Sequence, residues 1–262
     1  MPSARRYDLA QGPIEAQWIG PPPDAAPTLV FLHEGLGSVS LWRDFPARLA
    51  AATGWGALVY SRYGYGGSGP CPLPRPVSYM HDEALAVLPA LLAAAGIREH
   101  ALVGHSDGGS IALIHAGAAP RPGLRGVAVV APHLFIEDVN IASIVRLGES
   151  FRGTDLARRL RPHHGANLDG AFWGWQRAWV SPEFRDWNIE AYLPQIRVPV
   201  LALQGERDAY GTMRQIAAIV AQVAGPVEAV KIADAGHSPQ RDRPDLMLAR
   251  LAAFIAALPP IR

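Results

Sequence analysis

The stretch ALVGHSDGG, residues 101–109, decides how the chain is interpreted. Its centre fits the pattern G-x-S-x-G, with Ser106 as the middle residue and a glycine two positions away on either side. An apolar run, 101–103, precedes the pattern, and a helical pattern, 110–119, follows it. This order predicts a strand, a sharp turn and a helix, with a serine held on the turn at strained backbone angles. The stretch therefore predicts Ser106 as a nucleophile beside the positive end of a helix.

Short apolar runs alternate with longer helical patterns on both sides of this stretch. Strands that are apolar throughout are typical of a parallel sheet whose two faces are covered by helices. We therefore expect an α/β fold with a doubly wound, mostly parallel sheet and helices on both faces. Two weaker strands, 7–9 and 15–19, are expected to form an antiparallel edge. The other predicted strands are 28–32, 57–60, 101–103, 127–130, 200–203 and 227–232, and the predicted helices are 41–52, 80–95, 106–119, 212–223 and 244–257.

The alternation of strands and helices stops between residues 132 and 197. This segment holds four of the seven tryptophans, Trp173, Trp175, Trp179 and Trp187. Because it lacks the βαβ rhythm, it is better explained as a helical insertion than as part of the sheet. We expect residues 1–131 and 198–262 to form the core and residues 132–197 to form a helical cap.

A serine nucleophile of this kind needs a base and an acid, and both have candidates after late strands. His237 lies in DAGHSP, between the last predicted strand and the last helix. Asp208 follows the strand at 200–203, and Glu206 is its main rival. The carboxyl ends of parallel strands meet at one edge of a sheet, and the order serine, acid, histidine fits a triad. We therefore predict Ser106, His237 and Asp208 as the catalytic residues.

Five motifs together resemble those of the α/β-hydrolase superfamily over essentially the whole chain. They are HEGLG at 33–37, SRYGYGGS at 61–68, GHSDG at 104–108, and the residues Asp208 and His237. The resemblance implies an eight-stranded sheet with a cap inserted between strands six and seven. It also implies acyl transfer without a metal or an organic cofactor, through a covalent serine intermediate.

The resemblance further implies an oxyanion hole made by two backbone N–H groups. By position these belong to Gly35, in the HEGLG stretch, and to Asp107, directly after the nucleophile. Glu34 departs from the family pattern, which has glycine there. A carboxylate at this place would repel developing negative charge unless it points away, is paired or is protonated. Two interpretations stay open for Glu34: contact with substrate or water, and a salt bridge to an arginine such as Arg62.

Composition excludes several other classes of protein. The formal net charge is +1 with no block of like charge, so we expect no nucleic-acid partner. Cys71 is the single cysteine, which excludes an internal disulfide and a cysteine metal cluster. No run approaches 18 apolar residues, and no secretory signal is recognisable. We therefore expect a cytoplasmic protein that acts on a small molecule away from membranes, and leave its oligomeric state open.

The substrate class is less sharply indicated than the chemistry. We expect a small-to-medium carboxylic ester, with Glu34, His133, Phe172, Trp173 and Trp175 as candidate substrate contacts. For most of the cap aromatics, packing of the cap against the core is the favoured explanation. Relatives of this fold also include lactonases, thioesterases, prolyl amidases and carbon–carbon bond hydrolases, and these stay open. A non-catalytic ligand receptor is a further alternative, which the complete set of triad residues disfavours.

Overall fold

A computed structural model describes residues 3–119 and 121–260, and its centre is one eight-stranded sheet. The strands are β1 (Ser3–Leu9), β2 (Gly12–Ile19), β3 (Thr28–Leu32), β4 (Gly56–Tyr60), β5 (His100–His105), β6 (Leu124–Val130), β7 (Val200–Gly205) and β8 (Val227–Ile232). Their order across the sheet is β1-β2-β4-β3-β5-β6-β7-β8. β2 pairs antiparallel with both β1 and β4, and the other pairs are parallel. The predicted fold and its antiparallel edge are confirmed.

Ten α-helical segments surround the sheet within the described residues. They are α1 (Phe45–Thr53), α2 (Tyr79–Asp82), α3 (Leu88–Ala94), α4 (Asp107–Ala118), α5 (Asp138–Gly153), α6 (Leu156–His164), α7 (Leu168–Val180), α8 (Met213–Gln222), α9 (Pro239–Asp242) and α10 (Pro244–Ala256). In the part of the chain that the structure covers, none of these helices has the length and apolar character that a membrane crossing requires.

The two faces of the sheet bury separate apolar cores because side chains alternate along each strand. On β3, Leu29 and Phe31 face one core, whereas Val30 and Leu32 face the other, and all four are fully buried. The first core is closed by α1 and α10, through residues such as Leu49, Met247 and Leu251. The second is closed by α3, α4 and α8, through Leu91, Ile111 and Ile216. Burial on both faces explains why the central strands are apolar throughout.

A helical insertion separates β6 from β7, as the loss of rhythm in the sequence predicts. It contains α5, α6 and α7, followed by two short 3₁₀ turns at Pro182–Phe184 and Glu190–Gln195. The insertion therefore leaves the core after strand six and returns before strand seven. The division into a core of 1–131 and 198–262 and a cap of 132–197 remains a prediction about domain boundaries.

Two predicted helices differ from those in the structure. The helix predicted at 41–52 is a 3₁₀ turn, Val39–Trp42, followed by α1, which begins next to Pro46. Proline has no backbone N–H, and the N–H groups of a first helical turn have no partner within the helix. Proline is therefore well tolerated there and favours the start of a new helix at this point. The helix predicted at 80–95 contains a π-helical turn at Glu83–Val87. The buried Glu83 accepts a hydrogen bond from the Tyr60 hydroxyl at 2.7 Å, which brings this turn against β4.

Two buried histidines, His100 on β5 and His115 on α4, lie next to each other, with 6.4 Å between ring centroids. Burial, together with the charge of His115, lowers the pKa of His100 to about 3. Burial also lowers the pKa of His115 to about 4, although its hydrogen bond to the Ala84 carbonyl acts in the opposite direction. Neither ring nitrogen of His100 has a hydrogen-bond partner among the described residues. Both side chains are therefore neutral in the folded protein at pH 7.

We expect acidification to destabilise the fold, and His100→Leu to weaken that effect. Below about pH 6.5 the unfolded chain protonates His100 while the folded chain does not, so stability falls as pH falls. Each such histidine contributes a slope of up to about 1.4 kcal/mol per pH unit. Urea denaturation at several pH values between about 6 and 4.5 should give the variant a shallower slope than the parent chain. An unchanged slope would contradict the assignment of a neutral, buried His100.

Candidate active site

Ser106 lies on a sharp turn between β5 and α4. Its φ of 53° is unfavourable for a residue with a side chain. The turn is possible because a Cβ atom on Gly104 would collide with the Gly108 carbonyl, and one on Gly108 would collide with the Leu32 carbonyl. The glycines thus let α4 pass close to the strand ends, and Ser106 is presented at the carboxyl edge of the sheet.

The three predicted triad side chains lie in contact in series. Ser106 Oγ is 2.9 Å from His237 Nε2. His237 Nδ1 is 2.9 Å from each carboxylate oxygen of Asp208. With Nδ1–H donating to the carboxylate, the lone pair of Nε2 is free to accept the serine proton. The residues come from the loops after β5, β7 and β8, which end at the same edge of the sheet.

Asp208 is held as a carboxylate by its surroundings. Burial alone would raise its pKa, but the hydrogen bond and charge of His237 and the Tyr210 N–H outweigh burial and lower it. The Tyr210 N–H donates to Oδ1 and Gln204 Nε2 donates to Oδ2, both at 2.7 Å. These donors fix the carboxylate facing the imidazole. The rival acid Glu206 lies at the surface, where it pairs with Lys231 at 2.7 Å.

Asp107 begins α4, and its side chain is turned into the protein beneath the turn. Its carboxylate accepts hydrogen bonds from the Tyr79 hydroxyl at 2.6 Å, Arg62 Nη2 at 3.5 Å and Trp175 Nε1 at 3.4 Å. The backbone N–H of the first residues of a helix has no partner within that helix. The Asp107 carboxylate is thus paired inside the protein, and the role of its backbone N–H as an oxyanion donor stays a prediction.

Glu34 forms an ion pair, but its arginine partner is Arg241 rather than Arg62. Glu34 Oε1 lies 3.2 Å from Arg241 Nη2, and Oε2 lies 3.6 Å from His105 Nδ1. Arg62 instead donates to the Glu34 backbone carbonyl at 2.9 Å. Burial alone would raise the pKa of Glu34, but the contacts with His105 and Arg241 lower it far below its usual range. The carboxylate is therefore charged and balanced, and it also borders the cavity above Ser106.

A cavity of about 190 Å³ opens above Ser106. Gly35, His133 and His237 border it together with the nucleophile. The rest of the lining is mainly apolar, from Leu36, Ile144, Leu147, Trp175, Trp179 and Tyr210. Among the described residues that line it, none is lysine or arginine, and Glu34 is the one carboxylate. The cavity is therefore small and mainly apolar, with the nucleophile on its wall.

The structure divides the predicted cap contacts into two groups. Trp175 lines the cavity, and its indole packs directly over Gly35. Phe172 is buried inside the cap, where it stacks on Phe151 with 3.7 Å between ring centroids. Trp173 packs under the guanidinium of Arg152, 4.6 Å from its ring centroid, and does not line this cavity. Phe172 and Trp173 are thus packing residues here and not contacts of the Ser106 cavity.

Several site residues were not predicted from the sequence. Ile144 and Leu147 are three residues apart on α5, a spacing that places both on one helix face. Tyr210, two residues after Asp208, packs its ring 4.7 Å from that of His237. Tyr79 had no signal of its own, because its link to Asp107 depends on tertiary packing. In residues 3–119 and 121–260, no group of three or more histidine, cysteine or acidic side chains is arranged to hold a metal ion.

Residues 29–250 match the family described as Alpha/beta hydrolase family. The chain belongs to this family. Its fold is also similar to that of a solved structure: the esterase RhEst1 from Rhodococcus sp. ECU1013 superposes with a TM-score of 0.75 at 20% identity, over 98% of this chain and 100% of the esterase. The predicted resemblance is confirmed, and the protein is an α/β-fold hydrolase.

Two sequence relatives carry the name 2-succinyl-6-hydroxy-2,4-cyclohexadiene-1-carboxylate synthase. The protein from Klebsiella pneumoniae (strain 342) is 30% identical over 263 residues, which cover 88% of this chain and 94% of the relative. The protein from Serratia proteamaculans (strain 568) is 31% identical over 139 residues, and that match spans 51% of each chain. This hydrolase is therefore similar in sequence to synthases and in fold to an esterase.

Replacing each candidate acid by the corresponding amide distinguishes Asp208 from Glu206 as the residue that orients His237. Asp208→Asn should keep the geometry but remove the charge that selects the His237 tautomer, and should lower kcat about 10⁴-fold, as in serine proteases. Glu206→Gln should leave kcat within about twofold, because Glu206 faces Lys231 at the surface. Steady-state hydrolysis of a p-nitrophenyl ester measures both. A larger loss in the Glu206 variant would reverse the assignment.

Proposed function

We propose that this hydrolase cleaves a small carboxylic ester through a covalent acyl intermediate on Ser106. The observation that carries the proposal is the unbroken contact from Ser106 Oγ through His237 to Asp208, at 2.9 Å for each step. This series lies at the base of the apolar cavity, on a turn strained in the way that nucleophilic serines require. A charged, buried carboxylate behind a histidine that faces a serine is the arrangement that activates a hydroxyl.

The reaction proceeds in two steps with a balanced transfer of protons. Ser106 Oγ passes its proton to His237 Nε2 and attacks the ester carbonyl, and the carbonyl oxygen gains negative charge. The backbone N–H groups of Gly35 and Asp107 are the proposed donors to that oxygen, each worth about 2.7–4 kcal/mol in the barrier. His237 then gives the proton to the departing alcohol as the ester bond breaks. Water repeats the sequence on the acyl-enzyme, and the carboxylic acid leaves.

The size and lining of the cavity support a small substrate. At about 190 Å³ the cavity is smaller than the roughly 300–1,000 Å³ that is usual for drug-sized ligands. Trp175 and Trp179 form one wall, and Ile144 and Leu147 form another. A short acyl group can bury itself among these side chains, whereas a long chain would extend beyond the roughly 190 Å³ that they enclose. We therefore favour short-chain esters over long-chain esters.

The names of the sequence relatives raise a second activity, the formation of a cyclohexadiene carboxylate. The compound in that name carries a ring carboxylate and a succinyl group, so it needs cationic or strongly donating partners when it is bound. The cavity above Ser106 offers no lysine or arginine among its described lining residues, and Glu34 adds negative charge. This lining favours an uncharged ester over a polyanionic substrate.

A panel of p-nitrophenyl esters tests the proposal. We expect kcat/KM to be highest for acetate and butyrate and to fall by about tenfold or more at octanoate. Ser106→Ala should abolish turnover and labelling by a fluorophosphonate probe, with urea unfolding unchanged as the control for folding. Full esterase activity in the alanine variant would refute the role of Ser106. Absence of ester turnover in the parent chain, alongside turnover of a cyclohexadiene carboxylate precursor, would favour the second activity.

A further inference from the structure

A second histidine faces the nucleophile. His133 Nε2 lies 3.4 Å from Ser106 Oγ, on a residue that is only 3% exposed. The rings of His133 and His237 lie side by side, with 5.7 Å between centroids and 28° between planes. The serine oxygen therefore meets two imidazole nitrogens, and the triad accounts for one of them.

The surroundings of His133 place its proton on Nε2. Its other nitrogen, Nδ1, lies 3.5 Å from Asn140 Nδ2. The orientation of that amide is set by two backbone groups, because Oδ1 accepts from the Glu137 N–H at 2.5 Å and Nδ2 donates to the Tyr210 carbonyl. An amide N–H directed at Nδ1 makes Nδ1 the acceptor, so Nε2 carries the hydrogen. Burial, with the nearby charge of His237, lowers the pKa of His133 to about 3 and keeps the ring neutral.

His133 is also held rigidly. Ser110 Oγ accepts from its backbone N–H at 3.0 Å and donates to its carbonyl at 2.6 Å. Trp179 packs edge-on against the ring, with centroids 5.0 Å apart. Because α4 carries Ser110 and also begins at the nucleophile turn, His133 and Ser106 are fixed to the same helix. The Nε2–H group therefore cannot easily turn away from Ser106.

We propose that His133 is a catalytic residue that donates its Nε2–H hydrogen bond to Ser106 Oγ and speeds hydrolysis of the acyl-enzyme. This inference rests on the proposed esterase function. His133 and His237 then have opposite roles at one oxygen: His237 accepts and returns the proton, whereas His133 keeps its own proton throughout.

The step in which His133 acts follows from how the serine oxygen changes. In deacylation, water attacks the acyl carbon as His237 takes a water proton. The bond between the acyl carbon and Oγ then breaks, its electron pair stays on Oγ, and His237 returns the proton to Oγ as the acid departs. An ester oxygen is a weak acceptor and a departing alkoxide a strong one, so the hydrogen bond from His133 strengthens along this step. In acylation the negative charge on the serine oxygen decreases as the new ester bond forms. The hydrogen bond from His133 therefore weakens along that step and does not speed it.

Two substitutions of nearly equal shape test the inference. His133→Met removes the donor, whereas His133→Gln retains an N–H at about the position of Nε2. With p-nitrophenyl acetate in rapid mixing, the methionine variant should release one equivalent of nitrophenol per chain in a burst. Its later steady-state turnover should be about 10- to 100-fold slower than that of the parent chain. Its kcat and KM should fall together, with kcat/KM little changed. Intact-protein mass spectrometry should show one acetyl group per chain, peptide mapping should place it on Ser106, and the glutamine variant should regain much of the steady rate.

The outcomes separate this inference from the proposed function. If the parent chain forms no acyl-enzyme and is not labelled by a fluorophosphonate, the esterase proposal fails first. If the parent chain is acylated but His133→Met loses kcat/KM without accumulating acyl-enzyme, or is unaffected, then the role of His133 is overturned. The rate of fluorophosphonate labelling of Ser106 in the variant checks that the turn is intact. Should the methionine variant not fold, His133→Phe keeps a ring without a donor and takes its place.

Discussion

The backbone of Ser106 is held at a positive φ, and the rest of the site depends on that turn. A conformation of this kind costs about 1–3 kcal/mol, so neighbouring contacts must impose it. The Ser106 N–H donates to the Val130 carbonyl at 2.8 Å, and the Gly109 N–H donates to the Ser106 carbonyl at the same distance. The first bond ties the turn to β6, and the second begins α4. With Oγ fixed in this way, two separate loops need only present His237 and Asp208 at the same edge of the sheet.

A buried network of charges beneath the turn joins it to the cap. Asp107 and Arg62 are almost fully buried, and Arg62 also packs over the ring of Tyr65 at 4.7 Å. A buried ion pair of this kind is costly to break, because either partner alone would be an uncompensated charge. Trp175 reaches the same carboxylate from α7 and lies over Gly35. One side chain of the cap thus contacts both residues that we propose as oxyanion donors.

The sequence predicts the order of the elements, and the contact of Ser106 with His237 and Asp208, more fully than the surroundings of these three residues. β3 and β8 have the predicted bounds, because a buried apolar run and its flanking turn residues are local signals. Ser106, His237 and Asp208 could be chosen because they follow strands, and strand ends converge in a parallel sheet. Which aromatic of α7 faces inward was not predictable: helical spacing gives Trp175 and Trp179 a common face, but only packing decides that this face is the inner one. The same limit hid the contact of His133 with Ser106.

Glu34 shows how a carboxylate can lie beside a site where negative charge develops. Its pairing with Arg241 balances the charge locally, and Oε2 lies 3.6 Å from His105 Nδ1. His105 in turn contacts the His237 carbonyl through Nε2 at 2.7 Å. Glu34 therefore connects the loop of Gly35 to the loop that carries the base. In the acyl transfer that we propose, the first loop holds the oxyanion and the second moves the proton, so contacts that fix the distance between the two loops stabilise the geometry of that reaction.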